Sequence, residues 1–440
     1  MQVAAEREVL AVRRESGVSL IIFDAPGKYN SLGSRTISEL HKVLDHLEAD
    51  PATVAIVAVS GKADSYIIGA DLVEIRKLDT IEDLLSLSTR GQQLLNRVQA
   101  FPKPIVGAIN GACLGGGLEM VLAFCHRVVS NATNTILGLP ETRLGIVPGL
   151  GGTQRLPKKV GLKAALDMIL SAEPVTAQQA LDMGLIEQMV NADDLIAEAE
   201  KQALIWAQRY AQQADPDGKA AESLDGLKAT PHCRTDLDKE KALKLLAITE
   251  RAIRVRTRGQ YPAQQRVVQV IKDGIEKGFD EGLASEARAF AELACSEISA
   301  NLMALFFNAD FTKQTARALV NKFPSCKVDT VGIVGAGKMG TSLARLAATS
   351  GINVLIRTDK SKGDKVRERI LCLTRIHHKH TGKGDLLSPG ESPEDIAARV
   401  TVVDSDEALA QADLIVECVI EETDAKKRML KQATQYADQK

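Results

Sequence analysis

At roughly 150 residues per domain, a chain of 440 residues is expected to hold two or three folded units. Apolar residues at 45% and charged residues at 25% exclude wholesale disorder. The 55 basic side chains nearly balance the 57 acidic ones, and aromatics reach only 3%, which speaks against a nucleic-acid binder held by a global basic field or by stacking platforms.

The first seventeen residues are charged and lack an apolar stretch, so no secretory signal is expected. Seven scattered cysteines (Cys113, Cys125, Cys233, Cys295, Cys326, Cys372 and Cys418), with no CxxC pair, predict a reducing, cytoplasmic setting and no metal site. Val18–Phe23 and Val54–Ser60 are short β-rich runs of the kind buried in a sheet. Between them Ile37, Leu40, Val43, Leu44 and Leu47 recur at helical spacing, after a turn marked by Pro26, Gly27 and Asn30. Asp71, with Glu74 three residues on, predicts an N-cap and a capping box. The stretch from Pro104 to Cys125 has about the length of a bilayer span, but Asn110, Glu119 and its glycines make a lipid-facing helix a poor reading. A strand over Pro104–Ile109, a glycine-rich turn and a helix from about Gly116 to Cys125 fit it better.

From about 191 to 322 the chain turns helical, with strong runs at Leu195–Gln212 and Glu281–Phe307 and an exposed loop expected over residues 215–241. After Pro324 a hydrophobic strand runs into Gly335-x-Gly337-x-x-Gly340, followed by a helix and a strand at Ile352–Ile356. That context fits a dinucleotide-binding βαβ unit, whose helix N-terminus offers unpaired N–H groups to a pyrophosphate. Two readings of the ribose contact stay open: Asp359 holds the hydroxyls of NAD, or Arg357, Thr358 and Lys360 form a basic pocket for the 2′-phosphate of NADP. NAD is preferred. Further strands are expected at Val400–Val403 and Asp413–Val419, then a helix over Thr423–Tyr436. His377, His378 and His380 lie in a basic stretch and read as solvated surface.

Glu119 stands out as a carboxylate within an apolar, glycine-rich run, which is expensive unless it is paired or solvated. It reads either as a residue favoured by the helix dipole or as an acid/base group beside bare backbone N–H donors at Gly115–Gly117.

The segments SYIIGADLVEI (65–75), NGACLGGGLEM (110–120) and LPETRLGIVPGLGGTQRLP (139–157) resemble the enoyl-CoA hydratase/isomerase (crotonase) superfamily. With the GxGxxG unit added, the chain resembles the alpha subunits of fatty-acid β-oxidation multienzyme complexes and of the trifunctional protein. The resemblance implies an α/β fold: a crotonase-type ββα spiral over 1–190, a helical linker over 191–322, and the first part of a Rossmann domain over 326–440. It implies hydration of 2-enoyl-CoA, with Glu119 activating water and Glu141 exchanging a proton with the α-carbon. Ile68 and Gly116 would supply the oxyanion-hole amides. Lys28, Ala70 and Asp71 fall at the CoA-binding positions, Lys28 standing equally as a plain surface lysine and Asp71 as a cap. Gly335, Gly337, Met339, Gly340, Asp359 and Glu417 would line the cofactor site. An oligomer and a thiolase subunit are the expected partners, with no nucleic acid and no membrane insertion.

Both glutamates together favour hydration over isomerisation of the double bond, and over a non-catalytic CoA- or nucleotide-binding assembly module. The dehydrogenase part is expected to stop before the family's catalytic His, so the chain reads as a truncated product without hydride transfer. An open sheet edge and weak structure beyond about 325 are the physical consequence of that reading. The apolar Ser299–Phe307 stretch is expected either to help close the acyl pocket or to serve as a plain interface helix.

Overall fold

The structure, a computed structural model, describes residues 7–213, 238–322, 327–381 and 392–437. Two compact units divide between Lys313 and Gln314.

In the first unit β1 (Val9–Arg13) and β2 (Val18–Phe23) form an antiparallel pair, and α1 (Ser34–Ala49) leads to β3 (Ala55–Ser60), parallel to β2. Next come α2 (Leu72–Ile75), α3 (Ile81–Gln99), β4 (Ile105–Ile109), β5 (Ala112–Leu114), α4 (Gly116–Leu122), β6 (His126–Ser130) and β7 (Ile136–Gly138). Then α5 (Gly152–Val160), α6 (Leu162–Ser171), β8 (Val175–Thr176), α7 (Ala177–Asp182) and β9 (Gln188–Val190) complete this part. The strands build one sheet in the order β1-β2-β3-β4-β6-β9 and a smaller one in the order β5-β7-β8. The apolar stretch 104–125 is thus a strand, a short strand and a seven-residue helix.

The run AIVAVS of β3 shows no polar alternation because both faces are covered. Ile56 and Ala58 belong to the main core with Leu40, Leu44 and Leu47 of α1, while Ala55, Val57 and Val59 face a second cluster. That second cluster is closed by Leu195, Ala199, Ala203 and Trp206 of α8 (Leu195–Gln213). The described residues of 191–313 therefore sit in the same compact unit as the sheet.

The remaining helices of this part are α9 (Lys239–Thr257), α10 (Pro262–Lys277), α11 (Phe279–Ala294) and α12 (Glu297–Lys322), the last running across the division between units. The single run expected over Glu281–Phe307 is broken at Cys295 and Ser296. There the Ser296 hydroxyl donates to Leu293 O and accepts from Ser299 N, ending one helix and capping the next. The loop expected at 215–241 falls outside the described residues up to 237; Asp238 then caps α9 by accepting from Glu240 N and Lys241 N. Cys233 and Cys326 also lie outside them. No single helix among the described residues is long and apolar enough to cross a membrane.

The second unit holds β10 (Thr330–Val334), α13 (Lys338–Thr349), β11 (Asn353–Arg357), α14 (Gly363–Thr381), α15 (Pro393–Ala398), β12 (Val400–Val403), β13 (Leu414–Glu417) and α16 (Thr423–Ala437). Its four strands are all parallel, in the order β12-β11-β10-β13. Beyond residue 325 the described residues thus have their own core, formed by Ile333, Ala344, Val354, Ile356, Ile370 and Ile396. The edge strand β13 leaves Leu414 half exposed. His377, His378 and His380 fall on α14, with side chains outside the described residues.

Candidate active site

The site forms where β5 turns into α4. Gly115 makes that turn with φ +53°, a conformation costly for any residue with a Cβ, and a Cβ built there would lie 2.8 Å from Glu141 Oε1. One turn further on, Glu119 is buried at 1% exposure. Its Oε1 accepts from the amides of Leu150 and Gly152, each at 2.7 Å. Glu141 opens a 3₁₀ turn after Pro140 and is also buried, its Oε2 without a hydrogen-bond partner among the described residues.

Burial pushes the Glu141 carboxyl up to about 8. Burial, then the negative charges of Glu286 and Glu141, hold Glu119 well above the usual carboxylate range, while its two N–H donors pull the other way. Burial thus holds both carboxyls toward the neutral form, and the two amide donors on Glu119 favour its charged form.

Ile68 cannot fill the oxyanion role expected of it. Its N–H donates to Asn30 O at 3.0 Å, so that amide is already committed. The amide of Ala70 instead faces α4: its nitrogen lies 3.5 Å from a Cβ built on Gly116. Neither Ala70 N–H nor Gly116 N–H has an acceptor among the described residues, which leaves this pair available to an oxygen. Asn30, singled out in the sequence only as a turn residue, sets the arrangement. It is buried, accepts from Ala25 N, and donates to Phe23 O, Ser60 Oγ and Tyr66 O.

Asp71 caps α2, accepting from Val73 N and Glu74 N. The expected capping box does not close, because Glu74 turns away to accept from Ser34 N and Ser34 Oγ. Lys28 is exposed, with its ammonium 4.8 Å from the Tyr29 ring centroid.

Glu286 on α11 was not singled out in the sequence. It is fully buried and accepts from Gly151 N at 2.5 Å, Thr153 N at 2.9 Å, Thr153 Oγ1 at 2.5 Å and Gln92 Nε2 at 3.0 Å. Arg155 is buried nearby, donating to Leu150 O, Asn96 Oδ1 and Gln99 Oε1. On α12, Ser299 Oγ donates to Leu144 O, Met303 is buried, and Arg76 stacks on the Phe307 ring.

In the second unit the glycine turn joins β10 to α13. Gly335 has φ +108°, and a Cβ there would lie 2.5 Å from Cys418 O; one on Gly340 would collide with Gly335 O. In front of Gly337 nothing lies within 4 Å, and no side chain caps α13. A bare helix start facing open space fits a dinucleotide pyrophosphate. Met339 is exposed at the same helix start. Asp359 is exposed and accepts from Ser361 N and Oγ. Glu417 ends β13, accepting from Val419 N and pairing with Lys426. Of the alternative basic pocket, Arg357 is paired with Asp406 at 2.9 Å, Thr358 N donates to Val403 O, and the Lys360 side chain lies outside the described residues.

Residues 13–224 match the enoyl-CoA hydratase/isomerase family, and residues 330–440 match the NAD binding domain of 3-hydroxyacyl-CoA dehydrogenase. Among solved structures, the chain is similar to an enoyl-CoA hydratase from Bacillus anthracis at 26% identity, over 57% of this chain and 96% of that one, with a TM-score of 0.45. It is similar to DspI of Pseudomonas aeruginosa at 27% identity, over 55% and 96%, with a TM-score of 0.45. A Geobacillus kaustophilus structure titled as enoyl-CoA hydrates subunit I is 21% identical over 73% and 98%, with a TM-score of 0.43.

Proposed function

We propose, for a chain that joins an enoyl-CoA hydratase/isomerase unit to a 3-hydroxyacyl-CoA dehydrogenase NAD-binding domain, that the first unit hydrates 2-enoyl-CoA thioesters to 3-hydroxyacyl-CoA. The observation that carries this reading is the pair of buried glutamates beside the amides of Ala70 and Gly116, which have no acceptor among the described residues. The thioester oxygen sits between Ala70 N–H and Gly116 N–H, each donor supplying roughly 3–4 kcal/mol as negative charge develops on it. Glu119, in its ionised form and fixed by its amide donors, takes a proton from water as the oxygen adds to C3. Glu141, protonated at neutral pH, delivers its proton to the α-carbon. The coupled pair then returns the proton from Glu119 to Glu141.

In the second unit Gly335, Gly337, Met339 and Gly340 would hold the pyrophosphate of NAD, with Asp359 toward the ribose and Glu417 at the strand end below it. NAD is favoured over NADP by the ion pair that occupies Arg357. When bound, NAD supplies a hydride acceptor.

The test is loss of the conjugated thioester absorbance of a short 2-enoyl-CoA. Glu119→Gln and Glu141→Gln should each slow it by at least about 100-fold. Unchanged rates in both variants would remove the two-glutamate mechanism. Turnover of 3-enoyl-CoA in place of 2-enoyl-CoA would establish the isomerase instead, and turnover of neither would leave a CoA-binding assembly module.

A further inference from the structure

We infer that Glu286 is a positioning residue for the acid–base pair, anchoring the turn whose amides hold Glu119. This rests on the reading of Glu119 and Glu141 given above. Four consecutive amides are divided between two buried carboxylates. Those of Leu150 and Gly152 donate to Glu119, and those of Gly151 and Thr153 donate to Glu286. Each peptide in this turn is therefore gripped from alternate sides, and Glu119 keeps its place only while Glu286 keeps the other side. The Thr153 hydroxyl and the Gln92 side-chain amide complete the Glu286 shell, so the carboxylate ties α11, α3 and the start of α5 to one point.

A buried carboxylate is costly to desolvate, yet a neutral amide could not replace it, because Oε1 accepts from Gly151 N and Gln92 Nε2 while Oε2 accepts from Thr153 N and Oγ1. The charge has a consequence that an amide lacks, because it lies among the groups that do the chemistry. Charged or titratable groups face Glu286 from α4 (Glu119), from the 3₁₀ turn (Glu141) and from α5 (Arg155); α3 contributes the neutral Gln92, and on α10 Asp273 is occupied with Ser285 and Lys277. Burial raises the Glu286 carboxyl while its donors from Thr153, Gln92 and Gly151 favour the charged form, and that charge disfavours ionisation of both catalytic carboxyls. Glu286 thereby couples where Glu119 points to when it gives up its proton.

The experiment compares Glu286→Gln, Thr153→Ala and Glu119→Gln with the parent chain, following 2-enoyl-CoA hydration across pH and binding of a saturated acyl-CoA by calorimetry. For Glu286→Gln, kcat should fall about 10- to 100-fold, the scale on which misplacing a catalytic group acts. Saturated acyl-CoA affinity should stay within about threefold, and the acidic limb of the rate profile should move to lower pH. Thr153→Ala removes one of the four donors, the hydroxyl, and keeps both turn amides and the Glu286 carboxylate, so kcat should fall less than in Glu286→Gln and without that shift. Parental kcat and pH limb in Glu286→Gln, beside an inactive Glu119→Gln, would overturn the role of Glu286 and leave the acid–base reading standing. If Glu286→Gln does not fold, Glu286→Asp, which keeps the carboxylate but draws it back from the Gly151 and Thr153 amides, is read in its place, and parental kcat there overturns the role equally. Full activity in Glu119→Gln would overturn the underlying reading, and the role of Glu286 with it.

Discussion

Glu141 carries a stability cost that its chemistry explains. Its Oε2 has no donor among the described residues, and burial pushes the carboxyl up to about 8 from an ordinary value of 4.5. The folded chain therefore holds a proton that the unfolded chain releases, and the stability this contributes is complete below about pH 4.5 and lost as pH rises toward 8. Glu141→Gln removes that dependence while keeping the shape. Relative to the parent it should be more stable at pH 8 than at pH 4.5 by about 1–3 kcal/mol, read from urea midpoints at the two pH values. An equal difference at both would contradict a buried protonated Glu141. Much of this site was legible in the sequence, since Glu119 and Glu141 stand in long, specific motifs. The oxyanion donor was not, because which amide is free depends on where the Asn30 carbonyl points, and that carbonyl occupies Ile68 and spares Ala70. Glu286 was illegible for another reason: 133 positions separate it from Thr153, in a helix whose sequence looks like ordinary amphipathic packing.

At the scale of elements, legibility followed length and burial. Strands such as β2 and β3 are continuous apolar runs and read as such, whereas β5, β7 and β8 have two or three residues, too few for any period to show. The α8 helix was recognised as a helix, but its place was not. Leu195, Ala199, Ala203 and Trp206 fall at spacings of four, four and three, a single stripe, yet periodicity does not say which sheet face the stripe will meet. In the structure it seals the face of the main sheet opposite α1, with Trp206 only 3% exposed. Trp206→Ala should therefore destabilise the first unit by about 3–5 kcal/mol, measured by urea unfolding followed by far-UV circular dichroism. A loss below about 1 kcal/mol would mean that α8 is a peripheral attachment and not a wall of the core.

For the whole molecule, the proposed function gives the two units separate chemistry, so damage to one site should be readable without damage to the other. Gly337 offers a clean probe. It has an ordinary φ of −73° and nothing within 4 Å of a Cβ built on it, so a Cβ there has room and strains no backbone. What the side chain would fill is the space in front of the α13 amides, where a pyrophosphate must approach. Gly335 is a poor choice by comparison, because its φ of +108° and the nearby Cys418 carbonyl would confound loss of binding with loss of folding. Gly337→Val is expected to weaken NAD binding at least tenfold by calorimetry, with the hydration kcat of the first unit within about twofold of the parent. NAD at 100 times its Kd should stabilise the parent's second unit by about 2.7 kcal/mol and do far less for the variant. If Gly337→Val binds NAD as well as the parent does, the nucleotide does not lie against the α13 start, and the glycines at 335 and 340 serve only the tight packing of the β10 turn.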